Sequence, residues 1–261
     1  MLRVNNLSFA YQQNQPLVLQ GISFALEKGN ILSVLGQNAV GKTTLIRCLI
    51  RELTSYNGEI TIEGKDIKSF SIKEYAQKVG VVSATFQVFQ NLLVADYLTT
   101  GFINQLVSFS RPSSELIEKA YTVLERFNKT ELFNKEINQL SSGEKQLIMI
   151  SRVLLQNPEV IIFDEPTANL DVKNQMFVLE QIRSLSEQGY TVIISTHNPG
   201  HALTLGGETL LLGKGKYRHG KTEEIIRGDN LTEYYGLETE VIDNEGFQCI
   251  VFSGRSIKLV F

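Results

Sequence analysis

Nine residues constrain this chain more than any others: Gly36-Gln37-Asn38-Ala39-Val40-Gly41-Lys42-Thr43-Thr44, set between an apolar run (Ile31 to Leu35) and a helical pattern (Thr44 to Ile50). The spacing is GxxxxGK[ST], and its setting between a strand and a helix is the one in which that spacing forms a phosphate loop. Successive backbone N–H groups of such a loop converge on phosphates, and the following helix aims its positive end at them. Lys42 is expected on the β- and γ-phosphates, and the Thr43 hydroxyl on Mg²⁺. The chain is therefore expected to bind a nucleotide, and the remaining residues must say what the nucleotide is used for.

With 261 residues, 43% of them hydrophobic, the chain can bury a sizeable core as one large domain or two small ones. A net charge of −3 and a pI of about 5.8 argue against a dominant basic surface, so no nucleic-acid partner is expected. Cys48 and Cys249 lie far apart without metal-type spacing, a usage suited to a reducing compartment. The first residues, Met1 to Asn6, carry no signal-peptide pattern. No apolar run approaches the roughly 18–20 residues that cross a bilayer, so any membrane role is expected to be peripheral.

Along the chain, Leu2 to Tyr11 and Leu17 to Leu26 read as strands, with a Lys28-Gly29 turn before the strand that enters the phosphate loop. Tyr56-Asn57-Gly58 reads as a turn, Glu59 to Gly64 as a short alternating strand and Val79 to Ser83 as an apolar one. Between about residues 94 and 157 helical periodicity replaces strand signals, including an amphipathic face from Leu116 to Phe127 behind a capping serine. Strands resume at Val160 to Phe163 and Tyr190 to Ser195, and near-continuous apolar strands alternating with helices argue for a buried parallel sheet. Leu210 to Lys216 reads as a strand entering a hairpin, and residues 226–261 as a small C-terminal β appendage.

Two further strands end in chemistry. Val160 to Phe163 runs into Asp164-Glu165, and ligands of parallel α/β sheets bind beyond the carboxyl ends of strands. Asp164 is then expected to hold Mg²⁺ through water, and Glu165 to orient or deprotonate a water for attack on the γ-phosphate. The next strand ends in Ser195-Thr196-His197, which places His197 for a hydrogen bond to the γ-phosphate; His201 and His219 read as structural. Leu140-Ser141-Ser142-Gly143-Glu144 opens a helix running from Lys145 to Gln156. Locally, Ser141-x-x-Glu144 is a capping box, yet a helix start with small residues is also an anion site, and local reasoning leaves both open.

Taken together these pieces resemble the ATP-binding cassette (ABC) ATPase family over residues 1–225. The match rests on an aromatic A-loop residue (Tyr11), Walker A (Gly36 to Thr44), the Leu140 to Glu144 signature, Walker B (Val160 to Asp164, with Glu165), the D-loop Ala168-Asn169-Leu170-Asp171 and the switch His197. The resemblance implies a phosphate-loop, RecA-like α/β core with a mostly parallel sheet, an N-terminal antiparallel β subdomain and an inserted helical subdomain at about 94–157. It also implies that two cassettes meet head to tail around ATP and Mg²⁺. Tyr11 then stacks on adenine, while Ser141, Ser142, Gly143 and Glu144 face the partner's nucleotide.

The sequence departs from the family pattern at three places. Ser142 and Glu144 stand where the signature usually has Gly and Gln. Ala39 and Val40 stand where Walker A has Gly and a smaller residue. Ala84 stands where the Q-loop glutamine is expected, with Gln87 the nearest substitute and Gln90 behind it.

Within the family the chain looks most like importer ATPases for iron–siderophore, haem or cobalamin. Thr196-His197-Asn198-Pro199-Gly200-His201-Ala202-Leu203 is similar to that group's THDPNHAL stretch, and Asn230 to Leu237 to its NLxxLYG tail. The resemblance implies a homodimer on the cytoplasmic face of the inner membrane, docked on a multispanning permease and served indirectly by a substrate-binding protein. The alternative is a soluble cassette in nucleic-acid repair, translation or cofactor assembly; coiled coils, zinc motifs or a second cassette would mark one, and none is read here.

Overall fold

The computed structural model describes residues 1–12, 14–83, 92–102, 112–244, 247–254 and 257–260. Two compact units make up the chain, one of residues 1–69 and 179–261, the other of residues 70–178.

The first unit opens with β1 (Leu2–Phe9), β2 (Leu19–Leu26), β3 (Ile31–Leu35), α1 (Lys42–Leu49), β4 (Asn57–Ile62) and β5 (Lys65–Asp66). β1, β2, β4 and β5 form an antiparallel sheet in the order β2-β1-β4-β5. Leu2, Val4, Leu7 and Phe9 supply the buried face of β1; the alternation slips once, between Val4 and Leu7, where the register with β2 shifts. A matching irregularity against β4 explains one difference from the sequence reading. Gly58 lies inside the strand, with φ +95°, because a Cβ there would stand 2.5 Å from the Asn5 carbonyl oxygen and would also collide with the Asn6 backbone.

The second unit carries α2 (Ile72–Lys78), β6 (Val79–Ser83), α3 (Val94–Thr99), α4 (Ser114–Glu125), α5 (Ser142–Leu154) and β7 (Val160–Asp164). β6 and β7 pair in parallel, Val79 opposite Val160 through Ser83 opposite Asp164. Among the described residues between 94 and 157 there is no strand, as the periodicity predicts. Ser113 caps α4 by accepting from the Leu116 N–H, and Ala120, Val123 and Leu124 form its buried face.

α6 (Val172–Glu187) leads the chain back into the first unit. There follow β8 (Thr191–Thr196), α7 (Pro199–Leu205), β9 (Glu208–Gly213), β10 (Lys216–Lys221), α8 (Thr222–Ile225), α9 (Gly228–Tyr235), β11 (Glu238–Asn244), β12 (Phe247–Gly254) and β13 (Ile257–Val260). β3 pairs in parallel with both β8 and β9, and β10 closes a hairpin on β9. Every residue of β3 and β8 is buried, as expected for parallel strands covered on both faces. The last three strands form their own antiparallel sheet, β11-β12-β13. This sheet is tied into the core: Ile250 of β12 joins Leu35, Leu211, Ile226, Leu231 and Tyr234 in one buried cluster.

Gly80 of β6 marks where the second unit has no room to spare, since a Cβ there would collide with the Val153 side chain of α5 and come within 3.2 Å of Pro158. Gly80→Ala is therefore expected to destabilise the protein by about 1–3 kcal/mol, the usual cost of overpacking. Urea unfolding of the variant beside the wild type checks this, with an unchanged midpoint as the contrary result.

Candidate nucleotide site

The phosphate loop leaves the buried strand β3 and enters α1 through two glycines that nothing else could replace. A Cβ on Gly36 would stand 2.5 Å from the Leu212 carbonyl oxygen and 2.9 Å from the Val40 side chain. Gly41, the residue before α1, has φ +112° and is packed against Val18 and Leu19. The backbone here is packed too closely to admit a side chain at either position. The Lys42 ammonium, almost fully buried, donates to the carbonyls of Gly36 (2.9 Å) and Gln37 (3.0 Å), which holds it along the loop. Gln37, Asn38, Ala39 and Thr43 are exposed, whereas Val40 and Thr44 are buried beneath the loop. α1 begins without a side-chain cap, so its first turn keeps the polarity that suits an anion. These features fit a nucleotide triphosphate, with Thr43 available to a metal ion.

Ala39 has φ +63°, in the left-handed region that favours glycine. The departure noted in the sequence therefore has a physical content: alanine stands in a backbone conformation that favours glycine, and it bears the strain. Tyr11 is half exposed, stands edge-on to Phe9 at 5.1 Å, and shares a 3.1 Å hydrogen bond between its hydroxyl and that of Thr44. The A-loop tyrosine and Walker A are thus in direct contact.

His197 follows the carboxyl end of β8 and is exposed. Its loop is shaped by its neighbours. His201 Nδ1 lies 3.1 Å from the Thr196 hydroxyl, which also accepts from the Asn198 N–H. The Asn198 amide nitrogen lies 3.3 Å from His201 Nε2, while its amide oxygen accepts from the Gly200 N–H. That pattern suits a neutral imidazole donating from Nδ1 and accepting at Nε2. Burial, reinforced by His197, lowers the His201 pKa to about 4. The structural reading of His201 stands, and its task is to hold the His197 loop.

In the second unit, the signature opens α5 with a complete capping box. The Ser141 hydroxyl accepts from the Glu144 N–H at 3.3 Å, and the Glu144 carboxylate accepts from both the N–H and the hydroxyl of Ser141 at 2.9 Å. Those bonds, with the Ser141 N–H foremost, hold the Glu144 carboxyl below its ordinary range. Glutamate in place of glutamine thus preserves the helix start. Ser141 and Ser142 are exposed, and Gly143 is buried. A Cβ on Gly143 would stand 2.5 Å from the Asn174 amide oxygen, and Asn174 is itself held by Asp171 of the D-loop through bonds of 2.8 and 3.0 Å. Asp164 ends β7, and Glu165 follows it with φ +48°, a left-handed backbone uncommon for this residue. Gln87, Ala84 and Gln90 lie outside the described residues.

Sequence reading does not single out Asn174, although the Asp171-x-x-Asn174 spacing of a capped helix was available. Nor does it assign a role to Tyr235 or to the Gln37 side chain, whose partners lie almost two hundred positions away in the chain.

Residues 19–168 match the ABC transporter family. The molybdate import ATP-binding protein MolC of Haemophilus influenzae is 34% identical over 237 residues, covering 90% of this chain and 88% of that one. A Helicobacter pylori protein described as a probable iron chelatin transport ATP-binding protein is 31% identical over 93% of this chain and 95% of its own length. Among solved structures, an ABC transporter of metal-chelate type in an inward-facing conformation superposes with a TM-score of 0.86 at 32% identity, over 98% of both chains. The chain belongs to the ABC transporter family and has the α/β phosphate-loop fold of its ATPases. It is one of the family's ATP-binding, ATP-hydrolysing proteins, and among its described residues no helix is long and apolar enough to cross a membrane.

The His201 geometry carries a pH dependence. The folded protein holds this imidazole neutral down to about pH 4, whereas an unfolded chain protonates it below its ordinary value of 6.5. The unfolded state therefore binds more protons in that window, and stability falls as pH drops from 6.5 toward 4. His201→Gln is expected to remove about 2 kcal/mol of the loss measured between pH 7 and pH 5. Parallel urea titrations of wild type and variant at the two pH values test it, and identical pH slopes would sink it.

Proposed function

We propose that this chain is the ATP-hydrolysing subunit of an importer that moves an iron chelate, haem or cobalamin through a separate multispanning permease. It acts as a homodimer on the cytoplasmic face of the inner membrane and is served indirectly by a substrate-binding protein. The observation that carries the reading is the signature: α5 begins with Ser141 and Ser142 exposed on a helix start whose cap is already satisfied within the chain. The Ser141 hydroxyl closes that cap, while the exposed helix start and Ser142 beside it are open to face a nucleotide on a second copy.

In the proposed cycle, Gly36 to Thr44 wrap the phosphates, Lys42 neutralises the β- and γ-oxygens, and Tyr11 lies on adenine. Thr43 and Asp164 would hold Mg²⁺, which would supply charge neutralisation at the phosphates. Glu165 orients and takes a proton from the attacking water, and His197 hydrogen-bonds the γ-phosphate. Ser141, Ser142, Gly143 and Glu144 of the second copy close the site, so that binding closes the dimer and hydrolysis reopens it. Catalysis here is chiefly positioning and charge complementarity around a loose phosphoryl group.

The substrate class draws on Thr196 to Leu203 and Asn230 to Leu237, and on relatives named for iron chelatin and metal-chelate transport. The relative named for molybdate import favours a second reading, a molybdate importer. Uptake of labelled ferric chelate, haem, cobalamin and molybdate by cells with and without the chain separates them; loss of molybdate uptake alone would move the substrate to the oxyanion.

Glu165→Gln is expected to lower ATP turnover by about 10²–10³-fold while ATP binding persists and the closed dimer accumulates. Turnover assays with gel filtration in ATP measure both effects, and near-normal hydrolysis would remove Glu165 from its role. Ser141→Arg is expected to block hydrolysis yet spare ATP binding by the isolated subunit. Loss of that monomeric binding would mean that Ser141 acts within its own chain.

A further inference from the structure

The C-terminal segment reaches the nucleotide site at two points. α9 ends at Tyr235, followed by Gly236 in a left-handed turn with φ +69°. The last carbonyls of a helix have no partner within it and carry its negative end. Here the Gln37 side-chain amide, from the second position of the phosphate loop, donates to the carbonyls of Tyr234 (3.1 Å) and Tyr235 (2.7 Å). The loop thus supplies the cap of α9. The second point is the Tyr235 hydroxyl, which donates to the backbone carbonyl of His197 at 3.1 Å. Its ring meets Phe252 of β12 with centroids 6.0 Å apart, and Tyr234 beside it is buried in the cluster containing Leu35, the last residue before Gly36. All these residues belong to the first unit.

We propose that Tyr235 is a positioning residue that joins the phosphate loop to the switch histidine, so that the C-terminal sheet registers the state of the nucleotide. The tie is a hydrogen bond at each end. Gln37 fixes where the end of α9 lies with respect to the phosphates, and the Tyr235 hydroxyl then fixes the height of the His197 backbone with respect to the same loop. A shift of the loop with ATP moves the end of α9, and through the Tyr235 ring it reaches Phe252. Burial pushes the Tyr235 phenol pKa upward, which keeps the hydroxyl a donor throughout the working range. The inference rests on the proposed contact of His197 with the γ-phosphate.

Tyr235→Phe keeps the ring against Phe252 and deletes only the hydroxyl. In the full chain it is expected to lower kcat for ATP about three- to tenfold while KM stays within about twofold, the size of effect of one lost positioning hydrogen bond. In a His197→Ala background the same change is expected to add nothing, because its route runs through His197. The chain contains no tryptophan, so Phe252→Trp supplies a unique reporter. Its emission is expected to shift with a non-hydrolysable ATP analogue and to stop shifting when Gln37→Leu is added, whereas Tyr235→Phe, which keeps the ring, leaves that shift in place. Full turnover in His197→Ala alone overturns the reading of His197 and the inference with it. A normal kcat for Tyr235→Phe beside an impaired His197→Ala overturns the inference alone, as does an equal loss in both backgrounds or a tryptophan signal indifferent to Gln37→Leu.

Discussion

The approach of Gly36 to the Leu212 carbonyl is the contact on which the nucleotide site depends. At 2.5 Å from a would-be Cβ, that carbonyl permits only glycine, and it does so at the first residue after β3. Because β3 pairs in parallel with both β8 and β9, the same buried layer sets the height of the phosphate loop and of the His197 loop. A loop clamped this closely keeps its N–H groups in place before any phosphate arrives, so little ordering remains to oppose binding. Lys42, held along the loop by the Gly36 and Gln37 carbonyls, is part of the same preorganisation.

Strained backbone occurs in both units. Ala39 in the phosphate loop, Glu165 after Walker B and Asn169 in the D-loop all have positive φ without being glycine. Each such residue costs on the order of 1 kcal/mol and persists only where its surroundings hold it. Ala39 and Glu165 are assigned roles at the nucleotide, and Asn169 lies in the D-loop beside the capping Asp171. Asn6, Arg51, Glu63, Asn128 and Asn157 also have positive φ, so this conformation is not confined to those motifs.

What was legible in the sequence was whatever has a local code. The strand–loop–helix setting of Gly36 to Thr44, the Ser141–Glu144 capping box and the Ser113 cap each depend on residues within a few positions, and the structure forms all three. The apolar strands Ile31 to Leu35 and Val160 to Phe163 were legible because burial on both faces removes alternation. Gly58 was misplaced because the bulge that traps it belongs to β1, a different strand. The Gln37–Tyr235–His197 connection was illegible for the same reason in stronger form. It is made of three backbone carbonyls, an amide and a hydroxyl brought together by the core, and no periodicity or short motif records where a carbonyl will end up.

That difference separates the two halves of the chemistry. The signature half is locally autonomous: Ser141 and Glu144 close their own helix start, and Gly143 rests on Asn174, which Asp171 holds three residues earlier. Its shape follows from short-range bonds and changes little with events elsewhere. The phosphate-loop half is not autonomous, since Gln37 depends on the end of α9 and the His197 carbonyl on Tyr235. A locally closed face and a face wired to a distant segment suit the proposed dimer, in which one side meets the partner's nucleotide while the other holds its own. The C-terminal sheet, which in sequence carries no chemistry, is attached through Tyr235 and Phe252 to the half that holds the phosphate loop.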